Sequence, residues 1–228
     1  MRFSTKPSRR ETIGGSIYLF LYIFILSWAL PLAVHFVKPE FNAAQLNFIY
    51  FCVNFAATTV IFRKYLLRSL SEALFVGFPV LWYALLGYLG NMLLSGMVVS
   101  AILDYYPEFA NVNDATVMGL ADQNAALMFL GAVVLAPVTE ELLFRGLIFR
   151  GLYDRSPLAA HLVTMVLFSL IHVTGYIGVY DWKLLLCCFL QYLAPAYCLN
   201  FAYQQSGTIV SSILMHMVTN LMAFALMR

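Results

Sequence analysis

Charged residues are scarce in this sequence. Of its 228 residues, 62% are hydrophobic and only 11% are Asp, Glu, Lys or Arg, whereas ordinary soluble domains are about 25% charged. No extended basic stretch exists outside short segments, so nucleic acid is excluded as a partner. The four cysteines, Cys52, Cys187, Cys188 and Cys198, form no CxxC pair, so neither a zinc ribbon nor a disulfide framework is indicated. The composition therefore predicts an integral membrane protein.

Long apolar runs supply the material for membrane-spanning helices. A span needs about 20 predominantly apolar residues, and seven runs meet that length. They are residues 16–37, 43–63, 74–103, 125–150, 157–178, 183–203 and 208–227. The third run could be one long helix or two pieces, and a re-entrant element within 104–124 is an eighth candidate. We predict an all-α polytopic membrane helix bundle of seven or eight transmembrane helices.

The chain divides into a basic N-terminal segment, 1–15, a first group of spans, 16–121, and a second group, 122–228. Lys and Arg concentrate before the first run, between the second and third, and between the fourth and fifth. The loop 104–124 carries four acidic residues and no Lys or Arg. Since cytoplasmic loops are rich in Lys and Arg, we expect a cytoplasmic N-terminus and an external acidic loop.

Glutamates, and the histidines that lie deep in a span, are confined to three of the predicted spans. The fourth contains Glu140, Glu141 and Arg145, the fifth contains His172, and the seventh contains His216 and Asn220. A charge at bilayer depth costs at least about 2.5–3.5 kcal/mol on insertion scales, so such residues default to functional hypotheses. Their concentration in three helices predicts one polar site inside the bundle.

Helical spacing separates the two adjacent glutamates. Successive residues are rotated by about 100°, so Glu140 and Glu141 cannot face the same point. Arg145 lies four residues after Glu141, the spacing of an intrahelical ion pair, and we expect it to neutralise Glu141. Glu140 would then face the bundle interior. Pro137, which lacks an N–H, should interrupt the helix just before them.

These side chains would suit the activation of water for attack on a peptide carbonyl. A carboxylate in an apolar environment can act as the general base, while two histidines can bind a metal or stabilise an oxyanion, with an amide as a further donor. Each residue, taken alone, also has a purely structural explanation. The charged triplet could be a solvated helix end, each histidine a core residue, and Asn220 an interhelical hydrogen bond. Their joint occurrence favours catalysis.

Three motifs carry a resemblance to a known family. "EELLFR" at 140–145 matches an EExxxR motif, "FSLIH" at 168–172 an FxxxH motif, and "HMVTN" at 216–220 an HxxxN motif. In this order, each in a separate apolar span, they resemble the CPBP family of intramembrane proteases. That family includes CAAX prenyl endopeptidases and bacterial Abi proteins. The resemblance covers about residues 122–222.

The resemblance implies roles for seven residues. It makes Glu140 the base and His172 and His216 metal ligands or oxyanion stabilisers, with Asn220 in support. The remaining supporting residues are Glu141, Arg145 and Phe168. One divalent metal ion, zinc, would be the cofactor; HExxH is absent, which excludes a zincin-type site.

The resemblance also implies a setting and a substrate. It implies a bacterial plasma membrane, contact with membrane lipids, and a hydrophobic or lipidated peptide or protein substrate. We expect the cavity to open toward the cytoplasm. Two alternatives remain: a non-catalytic membrane regulator or bacteriocin-immunity protein, and a proton-coupled transporter, which buried Glu and His residues would also suit.

Overall fold

The computed structural model describes residues 3 and 5–226, and these form a helical bundle. Its helices are α1 (Arg9–Val37), α2 (Ala43–Ile61), α3 (Arg63–Val76), α4 (Phe78–Tyr105), α5 (Val112–Gln123), α6 (Ala125–Tyr153), α7 (Pro157–Ile171), α8 (Trp182–Ser206) and α9 (Ile209–Leu226).

Seven helices are long and apolar enough to cross a membrane, which confirms the predicted fold class. They are α1, α2, α4, α6, α7 with the short turn that follows it, α8 and α9. The third predicted run is one unbroken helix, α4. The candidate eighth element is the helix α5, whose 12 residues rise only about 18 Å. It is too short to cross about 30 Å of hydrocarbon.

The first helix starts earlier than its apolar run. The side chain of Ser8 accepts the N–H of Glu11, and the carboxylate of Glu11 accepts the N–H of Ser8 at 2.7 Å. This reciprocal capping satisfies two backbone donors at the helix start. Helix α1 therefore begins at Arg9, within the segment that the hydropathy pattern leaves outside the membrane.

Helix α6 is the centre of the bundle. In the apolar 18-residue stretch of this span, 61% of the residues are buried, against at most 39% in the corresponding stretch of any other span. It packs against α1, α2, α7, α8 and α9. A side chain on α6 can therefore meet side chains from most of the other spans, which places the EELLFR motif where a shared site can form.

The hydrogen-bond ladder of α6 changes register on both sides of its two glutamates. The helix is π-helical over Phe129–Leu135 and again over Leu142–Phe149. Pro137 has no N–H, and in the π register that N–H would have bonded the carbonyl of Ala132. The side-chain amide of Asn220 donates to this carbonyl instead, at 2.9 Å. The predicted interruption at Pro137 thus coincides with a contact between α6 and α9.

Aromatic side chains close the end of the bundle that carries the N-terminal segment. The ring of Phe3 lies 4.6 Å from that of Tyr203 and 4.9 Å from that of Tyr153, between centroids. The hydroxyl groups of Tyr65 and Tyr203 are 3.0 Å apart, and Phe149 packs against the same rings. Tyr65, Phe149 and Tyr203 are fully buried. This aromatic cluster leaves the opposite, α5 end of the bundle for a cavity.

Candidate active site

Three helices bring Glu140, His172 and His216 together. The Oε2 atom of Glu140, on α6, lies 4.0 Å from Nε2 of His172 at the end of α7. The same oxygen lies 3.8 Å from Nε2 of His216 on α9. Glu140 is only 9% exposed, and its Oε2 has no hydrogen-bond partner among the residues that the structure describes. One carboxylate oxygen therefore faces two imidazole nitrogens at nearly equal distances.

Both imidazoles are oriented by hydrogen bonds from their other nitrogen. Nδ1 of His172 donates to the carbonyl of Phe168 at 2.8 Å, and Nδ1 of His216 donates to Oε1 of Glu141 at 2.9 Å. A partner at Nδ1 selects the tautomer and fixes the ring. Each histidine thus presents Nε2 to Glu140.

The predicted ion pair between Glu141 and Arg145 is present and fully buried. Nη1 of Arg145 lies 2.9 Å from Oε1 of Glu141. The guanidinium also donates from Nη2 to the carbonyl of Ala196 at 3.0 Å and from Nε to Oδ1 of Asn200 at 3.1 Å. Three acceptors from two helices satisfy this charge, as a buried guanidinium requires. Asn200, a lone polar residue in an apolar run, was not predicted as part of the site.

Phe168 links the ion pair to the histidines. The guanidinium of Arg145 lies 4.5 Å from the centroid of the Phe168 ring. The same ring is 4.7 Å from the His172 ring and 5.8 Å from the His216 ring, between centroids. Phe168 is 2% exposed. It therefore packs against both imidazole rings.

Tyr192, on α8, is a further neighbour that the sequence did not indicate. Its ring stacks on that of His172, with 4.2 Å between centroids and 26° between planes. Its hydroxyl donates to Oδ1 of Asp114 at 2.9 Å and accepts from the amide of Asn113 at 2.9 Å. Burial raises the pKa of Asp114, which the hydrogen bonds from Tyr192 and Asn113 oppose. Helix α5 is thereby tied to the residue that packs on His172.

A cavity of about 520 Å³ leads to these groups. Glu140, His172, His216 and Asn220 line it, together with Asp114 and other residues of α5. Its volume falls in the range of about 300–1,000 Å³ that ligand pockets occupy. The cavity lies in the half of the bundle next to α5.

The expectations of a cytoplasmic N-terminus and of a cavity open toward the cytoplasm do not both hold, because the cavity lies away from the end of the bundle with the N-terminal segment. The cavity is lined by the halves of the spans that adjoin α5. The other end is filled by the aromatic cluster of Phe3, Tyr65, Phe149, Tyr153 and Tyr203. The direction of the cavity thus follows from which end of the bundle the bulky rings occupy.

Asn220 lines the cavity, and its side-chain amide also forms a hydrogen bond to the backbone of α6. Its Nδ2 donates to the carbonyl of Ala132, in the π-helical stretch of α6. An amide nitrogen carries two N–H groups, so one N–H is used by this bond. The structure brings Asn220 to the wall of the same cavity as Glu140.

The polar groups do not form a preorganised metal site. Within residues 3 and 5–226, no group of three or more His, Cys, Asp or Glu side chains is arranged to hold a metal ion. Glu140 Oε2 and the two Nε2 atoms converge, but at separations of 3.8 and 4.0 Å. The metal ion that the resemblance implies, with His172 and His216 as ligands, therefore stays a prediction, and the steps proposed below use only this chain's own side chains.

Comparison with known proteins identifies the family of the second group of spans. The family model described as "Type II CAAX prenyl endopeptidase Rce1-like" matches residues 122–222. This match contains all three motifs and the helices α6 to α9 up to residue 222. Residues 122–222 are similar to an Rce1-like domain. The family predicted from the motifs is confirmed.

Two curated bacterial relatives match part of the chain. The "UPF0177 protein YxdF" of Lactococcus lactis is 32% identical over 88 residues, 39% of this chain and 43% of the relative. The "Putative membrane peptidase YdiL" of Bacillus subtilis is 26% identical over 148 residues, 64% of this chain and 55% of the relative. The chain spans about half the length of the curated relatives it matches. No solved structure matches it significantly.

Proposed function

We propose that this protein is an intramembrane endopeptidase of a bacterial plasma membrane, with Glu140 as the base that activates water. The observation that carries the proposal is the carboxylate oxygen of Glu140. It is buried at the inner end of the cavity and lies 3.8 and 4.0 Å from two imidazole nitrogens. The Rce1-like family of residues 122–222 and the peptidase name of the Bacillus subtilis relative support a peptide substrate.

The first chemical step is the attack of water on the peptide carbonyl. A water molecule that donates to Oε2 of Glu140 loses that proton to the carboxylate as its oxygen bonds to the carbonyl carbon. The carbonyl π electrons move to its oxygen and form an oxyanion. The apolar surroundings of Glu140 exclude bulk water, which strengthens the electrostatic interactions within the site.

The two histidines then have different roles because their Nδ1 partners differ. His216 donates to the carboxylate of Glu141, a charged acceptor that makes this the stronger of the two hydrogen bonds. We therefore assign a protonated Nε2 of His216 to the oxyanion. His172 donates to a neutral backbone carbonyl, so its Nε2 stays an acceptor and orients the attacking water. Asn220, on the cavity wall, supports the oxyanion with its remaining N–H.

The second step returns Glu140 to its starting state. When the tetrahedral intermediate collapses, the bond between the carbonyl carbon and the amide nitrogen breaks. The proton held by Glu140 passes to the departing nitrogen, which leaves as an amine. The other product is a carboxylic acid. One water is consumed, and no covalent enzyme intermediate forms.

The substitution Glu140→Gln tests the proposal because it keeps the volume of the side chain and removes the base. Cells that express the wild type or Glu140→Gln at equal levels are compared by mass spectrometry of peptide and protein termini. We expect termini that are present only with the wild type. Glu72→Gln, at a glutamate outside the site, is the matched control and should preserve those termini.

Two results would contradict the proposal that this protein is a protease. If the terminal profiles of wild type and Glu140→Gln are the same while deletion of the chain still changes the cell, a non-catalytic regulator takes its place. If uptake driven by a pH gradient in proteoliposomes depends on Glu140, the buried groups form a proton relay.

A further inference from the structure

Among the residues that the structure describes, the cavity lies toward one end of the bundle and aromatic rings fill the other. Thr116 and Asp114 of α5 line it, together with Tyr192, and the side chain of Thr116 is exposed. At the other end, Phe149 and Tyr203 are fully buried against Phe3. The lining of the cavity therefore points to the α5 end as the side from which a peptide reaches Glu140.

Positive charge lies at the opposite end. Of the described Lys and Arg residues outside Arg145, three lie before or within the first turn of α1, three in α3, and two at residues 150 and 155. These eight all lie toward the end of the bundle that holds the aromatic cluster. Only Lys38 and Lys183 lie at the α5 end. Since Lys and Arg in short loops mark the cytoplasmic side, the closed end is cytoplasmic.

Together, these two asymmetries define the side from which substrate enters. We infer that the cavity opens to the extracytoplasmic face and that the substrate is a hydrophobic peptide segment presented there, not a prenylated C-terminus presented in the cytoplasm. The part of this inference that calls the bound peptide a substrate rests on the proposed function. The orientation of the cavity rests on the charges and the aromatic cluster alone.

Cysteine labelling in intact cells tests the orientation. Single cysteines are introduced as Thr116→Cys at the cavity, Glu108→Cys in the exposed segment before α5, and Ser71→Cys on the exposed face of α3. A membrane-impermeant maleimide is applied, and the parent chain gives the background of the native cysteines. We expect label on Thr116→Cys and Glu108→Cys in intact cells, and on Ser71→Cys only after permeabilisation.

Two labelling patterns would overturn the inference. Label on Ser71→Cys alone in intact cells would reverse the orientation of the bundle. Label on Glu108→Cys but not on Thr116→Cys would show that the cavity is closed to the outside. Glu108→Cys and Ser71→Cys lie at exposed positions away from the site, so the orientation can be read even if the Thr116 variant fails to fold.

The location of cleaved segments tests the substrate class separately. Termini that require wild-type Glu140 should lie in segments exported across the membrane or exposed at its outer face. If such termini lie in cytoplasmic segments, the inference fails while the protease survives. If no such terminus exists but Thr116→Cys is labelled from outside, the proposed function and the substrate class fail, and only the orientation of the cavity stands.

Discussion

Replacement of Arg145 by leucine should destabilise the fold rather than act on the chemistry alone. Arg145 is 0% exposed and donates to Glu141, Ala196 and Asn200. Leucine fills much of the space but leaves the carboxylate of Glu141 buried without its cation. Removal of one partner of a buried ion pair costs about 3–5 kcal/mol because the other charge remains.

The expected change in melting temperature follows from that range. For a chain of about this size, 1 kcal/mol shifts Tm by roughly 2–4 °C, so Arg145→Leu should lower Tm by roughly 6–20 °C. A double variant, Arg145→Leu with Glu141→Gln, removes the stranded charge. It should recover a substantial part of the loss, because a neutral buried amide costs less than an unpaired carboxylate.

Thermal unfolding of the purified protein in detergent measures these shifts. Arg155→Leu, at an exposed arginine, is the matched control and should change stability by less than about 0.5 kcal/mol. The reasoning is refuted if Arg145→Leu melts within a degree or two of Arg155→Leu. It is also refuted if the double variant is less stable than Arg145→Leu alone, since the stranded charge would then not be the cause.

Three further predictions concern the site. His172→Ala and His216→Ala should each lower turnover by at least about 10²–10³-fold, while the yield of folded protein stays close to that of the wild type. If the yield of folded protein falls as much as turnover does, these residues have a structural role instead. Tyr192→Leu should lower kcat by up to about tenfold, because it removes the stacking on His172, which is worth about 0.5–1.5 kcal/mol. Tyr192→Phe keeps the ring and should stay near wild type. A change confined to KM in Tyr192→Leu would count against a positioning role. If Glu140 and the two histidines act without an ion, as proposed, chelation of divalent metals should leave turnover unchanged; activity lost to the chelator and restored by zinc would make His172 and His216 metal ligands.

The spans could be predicted from the sequence because each depends only on its own residues. An apolar run of about 20 residues must be helical in lipid, whatever its neighbours are. The early start of α1 was also readable, since Ser8 and Glu11 have the spacing of a capping box. Hydropathy alone overlooks it because the capped turn is polar and basic.

The contacts between helices were only partly predictable. The pair Glu141–Arg145 follows from spacing along one helix, and it is present. The bond from His216 to Glu141 joins residues 75 positions apart, and no periodicity within a helix predicts it. Tyr192 and Asn200 carry no distinguishing signal in an apolar run, because an aromatic ring or a lone amide there is most often packing or an interhelical bond.

The two adjacent glutamates show how one helix can place one carboxylate in an ion pair and the next at a cavity. The rotation of about 100° per residue turns Glu141 toward Arg145 and His216, at 2.9 Å from each. It turns Glu140 toward the cavity, where Oε2 has no hydrogen-bond partner among the described residues. Because Glu141 also sets the orientation of His216, the two carboxylates are coupled through that ring. Glu141→Gln should therefore impair turnover through His216 even though Glu141 is buried away from the cavity, whereas Glu140→Gln should impair it directly.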